Sequence, residues 1–165
     1  MQQKAQIPYI YLFMAKDYLT TSFRGIITFS GGIDSTAALY KTLTENPSDN
    51  YLVFRIQLIN GTSGHRTVRE EMAAEAILFW LEEKGIDNFS FRKLSFDYSS
   101  LGMIPPVWDS EIINFIASVV VQAKPEICEF IEGAIKNDYE EEGFEERLKK
   151  ISDIFYTSAG RHPES

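Results

Sequence analysis

Residues 26 to 36 read Ile-Ile-Thr-Phe-Ser-Gly-Gly-Ile-Asp-Ser-Thr, and here residue types that can do chemistry are packed most closely. An apolar run, Gly25 to Phe29, meets a Ser-Gly-Gly turn and opens into a stretch of helical composition. Two adjacent glycines let the backbone take positive φ and bring its N–H groups to a ligand without Cβ interference. A helix starting there points more N–H groups, and its positive dipole end, at the same spot. Ser30, Ser35 and Thr36 add hydroxyl donors, and Asp34 adds a carboxylate. The chemistry this pattern suits is the holding of an anion, phosphate or pyrophosphate. An ordinary strand-to-helix turn capped by Ser30 or Asp34 accounts for one of these residues, not for all together. The loop lacks the Gly-Lys-Ser/Thr ending of a Walker A loop and the third glycine of the dinucleotide fingerprint.

The surrounding pattern alternates strand and helix. Strands are expected over Gly25–Phe29, Tyr51–Ile59, Phe89–Tyr98 and Glu126–Ile135. Helices are expected over Asp34–Glu45, stopped by Asn46-Pro47, over Thr67–Lys84 with Gly85 as C-cap, over Asp109–Lys124 and over Phe144–Phe155. Helical spacing puts Ala73, Ala76 or Ile77, Trp80 and Lys84 on one face of the second helix. In the third it aligns Ile112, Phe115 or Ile116, Val119 and Ala123, and in the fourth Phe144, Leu148, Ile151 and Phe155. Repeated βα units imply an α/β fold, a mainly parallel sheet covered by helices on both faces. Ligands of such sheets bind beyond the strands' carboxyl ends, at the switch point of the strand order. The Ser30–Ser35 loop occupies one such end.

Other strand ends feed the same cleft. After the second strand comes Asn60-Gly61-Thr62-Ser63-Gly64-His65-Arg66. It reads either as a polar loop with Thr67 capping the next helix, or as a ligand contact through Asn60, His65 and Arg66. After the fourth strand, Gly133 suits a close backbone approach to a ligand, and Asn137 and Asp138 suit recognition of a polar ring. Asn-Asp is equally an ordinary turn pair. The stretch from Tyr98 to Trp108, with Pro105-Pro106, reads as a lid or as a rigid crossover.

Composition bounds the rest. At 165 residues and 44% hydrophobic, the chain suits one domain burying about 70% of its unfolded surface. Residues 1–23 are then an N-terminal extension and 157–165 a flexible tail. No apolar run approaches the roughly 20 residues that span a bilayer, and the short stretch Ile7–Met14 does not read as a signal peptide. Cys128, the single cysteine, has apolar neighbours that suggest a buried strand position, and a reducing cytoplasm is the expected compartment. A net charge of −8, with an acidic run from Asp138 to Glu146, argues for a small-molecule substrate over nucleic acid. Phe79, Trp80, Phe115 and Phe155 exceed what one small core buries, so a homodimer through helix faces is expected.

The six residues Ser30-Gly31-Gly32-Ile33-Asp34-Ser35, following a strand and opening a helix, resemble the PP-loop of the ATP pyrophosphatases, the adenine nucleotide alpha-hydrolase superfamily. Over Gly25 to Tyr156 the order of elements resembles the 7-cyano-7-deazaguanine (preQ0) synthases of queuosine biosynthesis. The carriers are Ser30–Thr36, the Gly-containing loop Gly61–Arg66, the helix Phe115–Ala123, and the strand, acidic-aromatic loop and helix within Phe130–Phe155. The resemblance implies a three-layer α/β/α fold of the Rossmann-like HUP type. It also implies cleavage of ATP between its α and β phosphates with adenylation of a small carboxylate or deazapurine-like substrate, and C–N bond formation. On this reading Ser30, Gly31, Gly32, Ile33, Asp34, Ser35 and Thr36 hold the nucleotide phosphates, with Asp34 and Ser35 catalytic. Asn60, His65, Arg66 and Gly133 complete the cofactor contacts. A carboxylate beside a triphosphate implies a cation, so Asp34 is assigned to Mg²⁺.

Two departures stand beside the resemblance. The family's zinc-binding cysteines have no counterpart here, where Cys128 is alone, so zinc is not expected. Where the family carries a Pro-Gly-Arg-Asn stretch, this chain reads Ile104-Pro105-Pro106-Val107-Trp108-Asp109-Ser110-Glu111. Two functions follow as alternatives: an ATP-dependent ligase, or a nucleotide-binding module without turnover that serves a complex.

Overall fold

The computed structural model describes residues 18–59, 64–97, 99–101, 110–133 and 143–160. The elements run β1 (Gly25–Thr28), α1 (Ile33–Glu45), β2 (Tyr51–Ile59), α2 (Gly64–Glu83), β3 (Phe89–Asp97), a short 3-10 turn (Ser99–Leu101), α3 (Ser110–Ala123), β4 (Glu129–Ile131) and α4 (Phe144–Ser158). The strands form one four-stranded sheet in the order β3-β2-β1-β4, and every pairing is parallel. The register opposes Gly25 to Tyr51 and Glu129, and Tyr51 to Phe89.

Side-chain alternation divides the core between the two faces of the sheet. Ile27, Phe29, Tyr51, Val53 and Phe89 pack with Leu39 and Leu43 of α1 and Ala74, Leu78 and Leu81 of α2. Ile26, Leu52 and Phe54 point the other way and pack with Phe23, Ala117 and Val121 of α3, and Phe155 of α4. The α/β reading with helices on both faces of a parallel sheet is thus observed. Fully burying each Ile or Leu of these layers stabilises the fold by about 1.5–3 kcal/mol, which is what holds the loop ends in place. Among the described residues no helix is long and apolar enough to cross a membrane.

Several boundaries and faces differ from the sequence reading. α2 begins at Gly64, so Gly64, His65 and Arg66 form its first turn and Thr67 does not cap it. Its buried line is Ala74, Leu78 and Leu81, while Trp80 is 43% exposed beside Tyr40. The physical cause is α1's loop: small Ala74 lets the backbone of Gly31 approach α2. α3 is apolar almost all round, so periodicity alone did not select its inner face. The sheet takes the smaller side chains Asn114, Ala117, Ser118 and Val121, leaving Phe115 and Val119 exposed. β4 is three residues long, and Cys128 precedes it as an exposed thiol rather than a buried strand residue. α4 continues to Ser158 and Ala159 is buried, so the start of the stretch read as a flexible tail packs on the domain. Phe23, read as part of an N-terminal extension, is fully buried. The positions Ile7–Met14, Asn60, Trp108, Asn137 and Asp138 lie outside the described residues.

Candidate functional site

β1 sits in the middle of the sheet, and its successor β2 and the later β4 flank it on opposite sides. The carboxyl end of β1 is therefore the switch point of the strand order, where a crevice forms between diverging connections. The Phe29 N–H still donates to the Phe54 carbonyl at 3.0 Å, so the chain leaves the sheet at Ser30. Gly31 then turns with φ +85°, and a Cβ there would stand 3.0 Å from both the Ala74 nitrogen and the Glu70 carbonyl oxygen. Glycine meets both demands, left-handed backbone and close approach to α2. Gly32 occupies the N-cap of α1 in extended conformation, with no side chain capping the helix.

The serines act first on the loop itself. The Gly32 N–H donates to Ser30 Oγ at 3.2 Å, and the Ser30 N–H donates to Ser35 Oγ at 3.3 Å. The two hydroxyl oxygens lie 3.0 Å apart, and the Ser35 hydroxyl donates to the Gly32 carbonyl at 3.1 Å. The Thr36 hydroxyl donates to the same carbonyl at 2.7 Å. Ser35 is 8% exposed, so its hydroxyl is a brace of the turn. Ile33, 88% exposed, and the half-buried Asp34 form the open lip of the helix. Asp34 has no side-chain partner among the described residues, and it lies where the helix dipole favours a carboxylate.

A cavity of about 250 Å³ opens beside this turn, lined by Thr28, Ser30, Ser35, Ser110, Glu132 and Gly133 among others. Gly133 does approach closely, but what it approaches is α1: a Cβ on it would stand 2.5 Å from the Ser35 nitrogen. His65 and Arg66 enter the first turn of α2, which starts from the same edge of the sheet; their side chains, like Asn60, lie outside what is described. Among the described residues no group of three or more His, Cys, Asp or Glu is placed to hold a metal ion.

One residue of the site was missed in the sequence. Arg55, within the apolar run of β2, is 3% exposed. Its guanidinium donates to the Ser30 carbonyl oxygen, and another of its nitrogens lies 3.7 Å from Glu70 Oε2. The available signal was a lone arginine inside Leu52-Val53-Phe54-Arg55-Ile56, since an arginine is almost never fully buried unless paired.

Compared with protein-family models, with curated proteins and with solved structures, the chain matches none. The chemistry of the site is carried by its own geometry: a tight turn with a left-handed glycine, an uncapped helix start and an adjoining cavity with hydroxyl and carboxylate walls.

Proposed function

We propose that the chain is an ATP-binding enzyme of the PP-loop kind, resembling the preQ0 synthases and built on an adenine nucleotide alpha-hydrolase-like domain. The observation that carries this reading is the uncapped first turn of α1 at the carboxyl end of the central strand, with a 250 Å³ cavity beside it that Ser30 and Ser35 help line. A helix start whose N–H groups no side chain caps is suited to binding an anion.

The residues fit a nucleotide phosphate in a defined way. Backbone N–H groups of Gly31, Ile33 and Asp34 bind and orient it, the Gly32 N–H being held by the Ser30 hydroxyl oxygen. Ser35 and Thr36 keep the turn in its binding shape through the Gly32 carbonyl. Mg²⁺ is commonly held by one or two carboxylates together with substrate phosphates, and Asp34 supplies one such carboxylate. A cation held there would offset phosphate charge, while the loop's own N–H groups contribute positioning and charge stabilisation. The substrate is a small carboxylate or deazapurine-like molecule entering along the wall of Ser110 and Glu132. Zinc has no part in this account, and the chain works as a cytoplasmic homodimer whose contact includes the exposed Phe115 and Val119 of α3.

The second reading, a nucleotide-binding module without turnover, draws on Ser35, whose hydroxyl is buried and committed to the loop. Pyrophosphate release from ATP in the presence of candidate carboxylates separates the two. Release above the uncatalysed rate supports the ligase, and tight ATP binding with no release supports the module.

A further inference from the structure

The orientation of the loop's peptide groups is set from outside the loop. Arg55 donates to the Ser30 carbonyl from beneath the turn. In a trans peptide the C=O and N–H point in opposite directions, so holding the Ser30 oxygen inward turns the Gly31 N–H outward. The Gly32 carbonyl is held in the same manner by the Thr36 N–H at 3.0 Å and by the Ser35 and Thr36 hydroxyls. That turns the Ile33 N–H outward as well. Outward N–H groups around a left-handed glycine form an anion-binding concavity.

The charge behind it is only partly offset. Glu70 stands 3.7 Å from one guanidinium nitrogen with its own side chain 38% exposed. Arg55 Nε, also buried, has no hydrogen-bond partner among the described residues. A cation held out of water acts on nearby charge through a lower effective dielectric than a surface lysine would, and salt screens it less.

We propose that Arg55 is the positioning residue of this anion loop. It fixes the Ser30–Gly31 peptide with its N–H toward the ligand and lays a buried positive charge behind it, which suits a multiply charged phosphate or pyrophosphate over a single carboxylate. The inference rests on the phosphate-loop reading and deepens it.

The test is titration of the full chain with magnesium pyrophosphate by calorimetry, in the wild type and in Arg55→Met, Arg55→Lys and Glu70→Gln, with amide NMR of each free protein. Arg55→Met is expected to weaken pyrophosphate by about tenfold or more, the scale of a lost charged hydrogen bond, and to shift the Gly31 amide resonance before any ligand is added. Arg55→Lys recovers part of the affinity, and Glu70→Gln binds at least as tightly as the wild type. Wild-type affinity in a folded Arg55→Met protein overturns the proposal and leaves the anion loop standing. If Arg55→Met does not fold, Arg55→Lys decides: unchanged affinity with an unmoved Gly31 resonance overturns it. A wild type that binds no pyrophosphate overturns the anion loop itself, and this inference with it.

Discussion

Gly133 and Ser35 meet backbone to backbone: a Cβ on Gly133 would stand 2.5 Å from the Ser35 amide nitrogen and 2.7 Å from the Asp34 carbonyl oxygen. The segment just beyond β4 thereby buttresses the first turn of α1, linking a stretch that comes late in the chain to a loop that comes early. Gly133→Ala forces one of them to move. We expect a loss of about 1–3 kcal/mol in urea unfolding, the range for overpacking a close contact, and weaker magnesium pyrophosphate binding. A variant with wild-type stability and affinity would show that the contact is slack.

The two loop glycines are predicted to differ. Gly31→Ala places a side chain at φ +85° against the backbone of α2, costing about 1–2 kcal/mol for the left-handed conformation alone and more for the overlap. Gly32 has φ −77°, and a Cβ there meets only the exposed Ser30 hydroxyl at 3.3 Å. Gly32→Ala should cost about 0.5–1 kcal/mol, the ordinary loss at an N-cap. Equilibrium unfolding of the pair decides, and equal losses would contradict the geometry.

At the opposite end of the sheet, Tyr51 is fully buried with its hydroxyl 3.4 Å from Glu129 Oε2. Burial raises its phenol above the usual 10.0, and the Glu129 carboxylate adds to the rise. The folded state therefore keeps the proton after the unfolded state has lost it. This contribution is fully present below pH 10 and declines as pH rises above it. Melting temperature should fall on the alkaline side more steeply in the wild type than in Tyr51→Phe; parallel alkaline limbs would refute the assignment.

Metal content gives a further check. The purified chain is expected to carry no stoichiometric zinc and to melt at the same temperature with and without chelator. One tightly held zinc per chain by elemental analysis would require a ligand set other than any described above.

Much of the fold was legible because β1, β2, α1 and α4 carry strong, unambiguous signals. Gly25–Thr28 is a short apolar strand, Asn46-Pro47 stops α1, and Gly85 closes α2 with φ +74°. The faces of α2 and α3 were not legible, since Trp80 and Phe115 are more apolar than the Ala74 and Asn114 that the packing buries. In α2, close approach of the Gly31 backbone outweighed side-chain hydrophobicity. Ser30 to Thr36 form one hydrogen-bonded turn at the place where the sequence put a strand-to-helix loop, but the inward use of the Ser35 hydroxyl was hidden. Hydrogen bonds within a turn depend on dihedral angles that composition does not specify. Arg55 escaped because its partner, the Ser30 carbonyl, is a backbone atom 25 residues away.

The most direct test of the account is titration of the isotopically labelled full chain with magnesium ATP, followed by amide NMR. The account predicts saturable shifts that are largest at Gly31, Gly32, Ile33 and Asp34, and strongly reduced when magnesium is withheld. An absence of shifts at millimolar ATP, or shifts centred away from the start of α1, would contradict it.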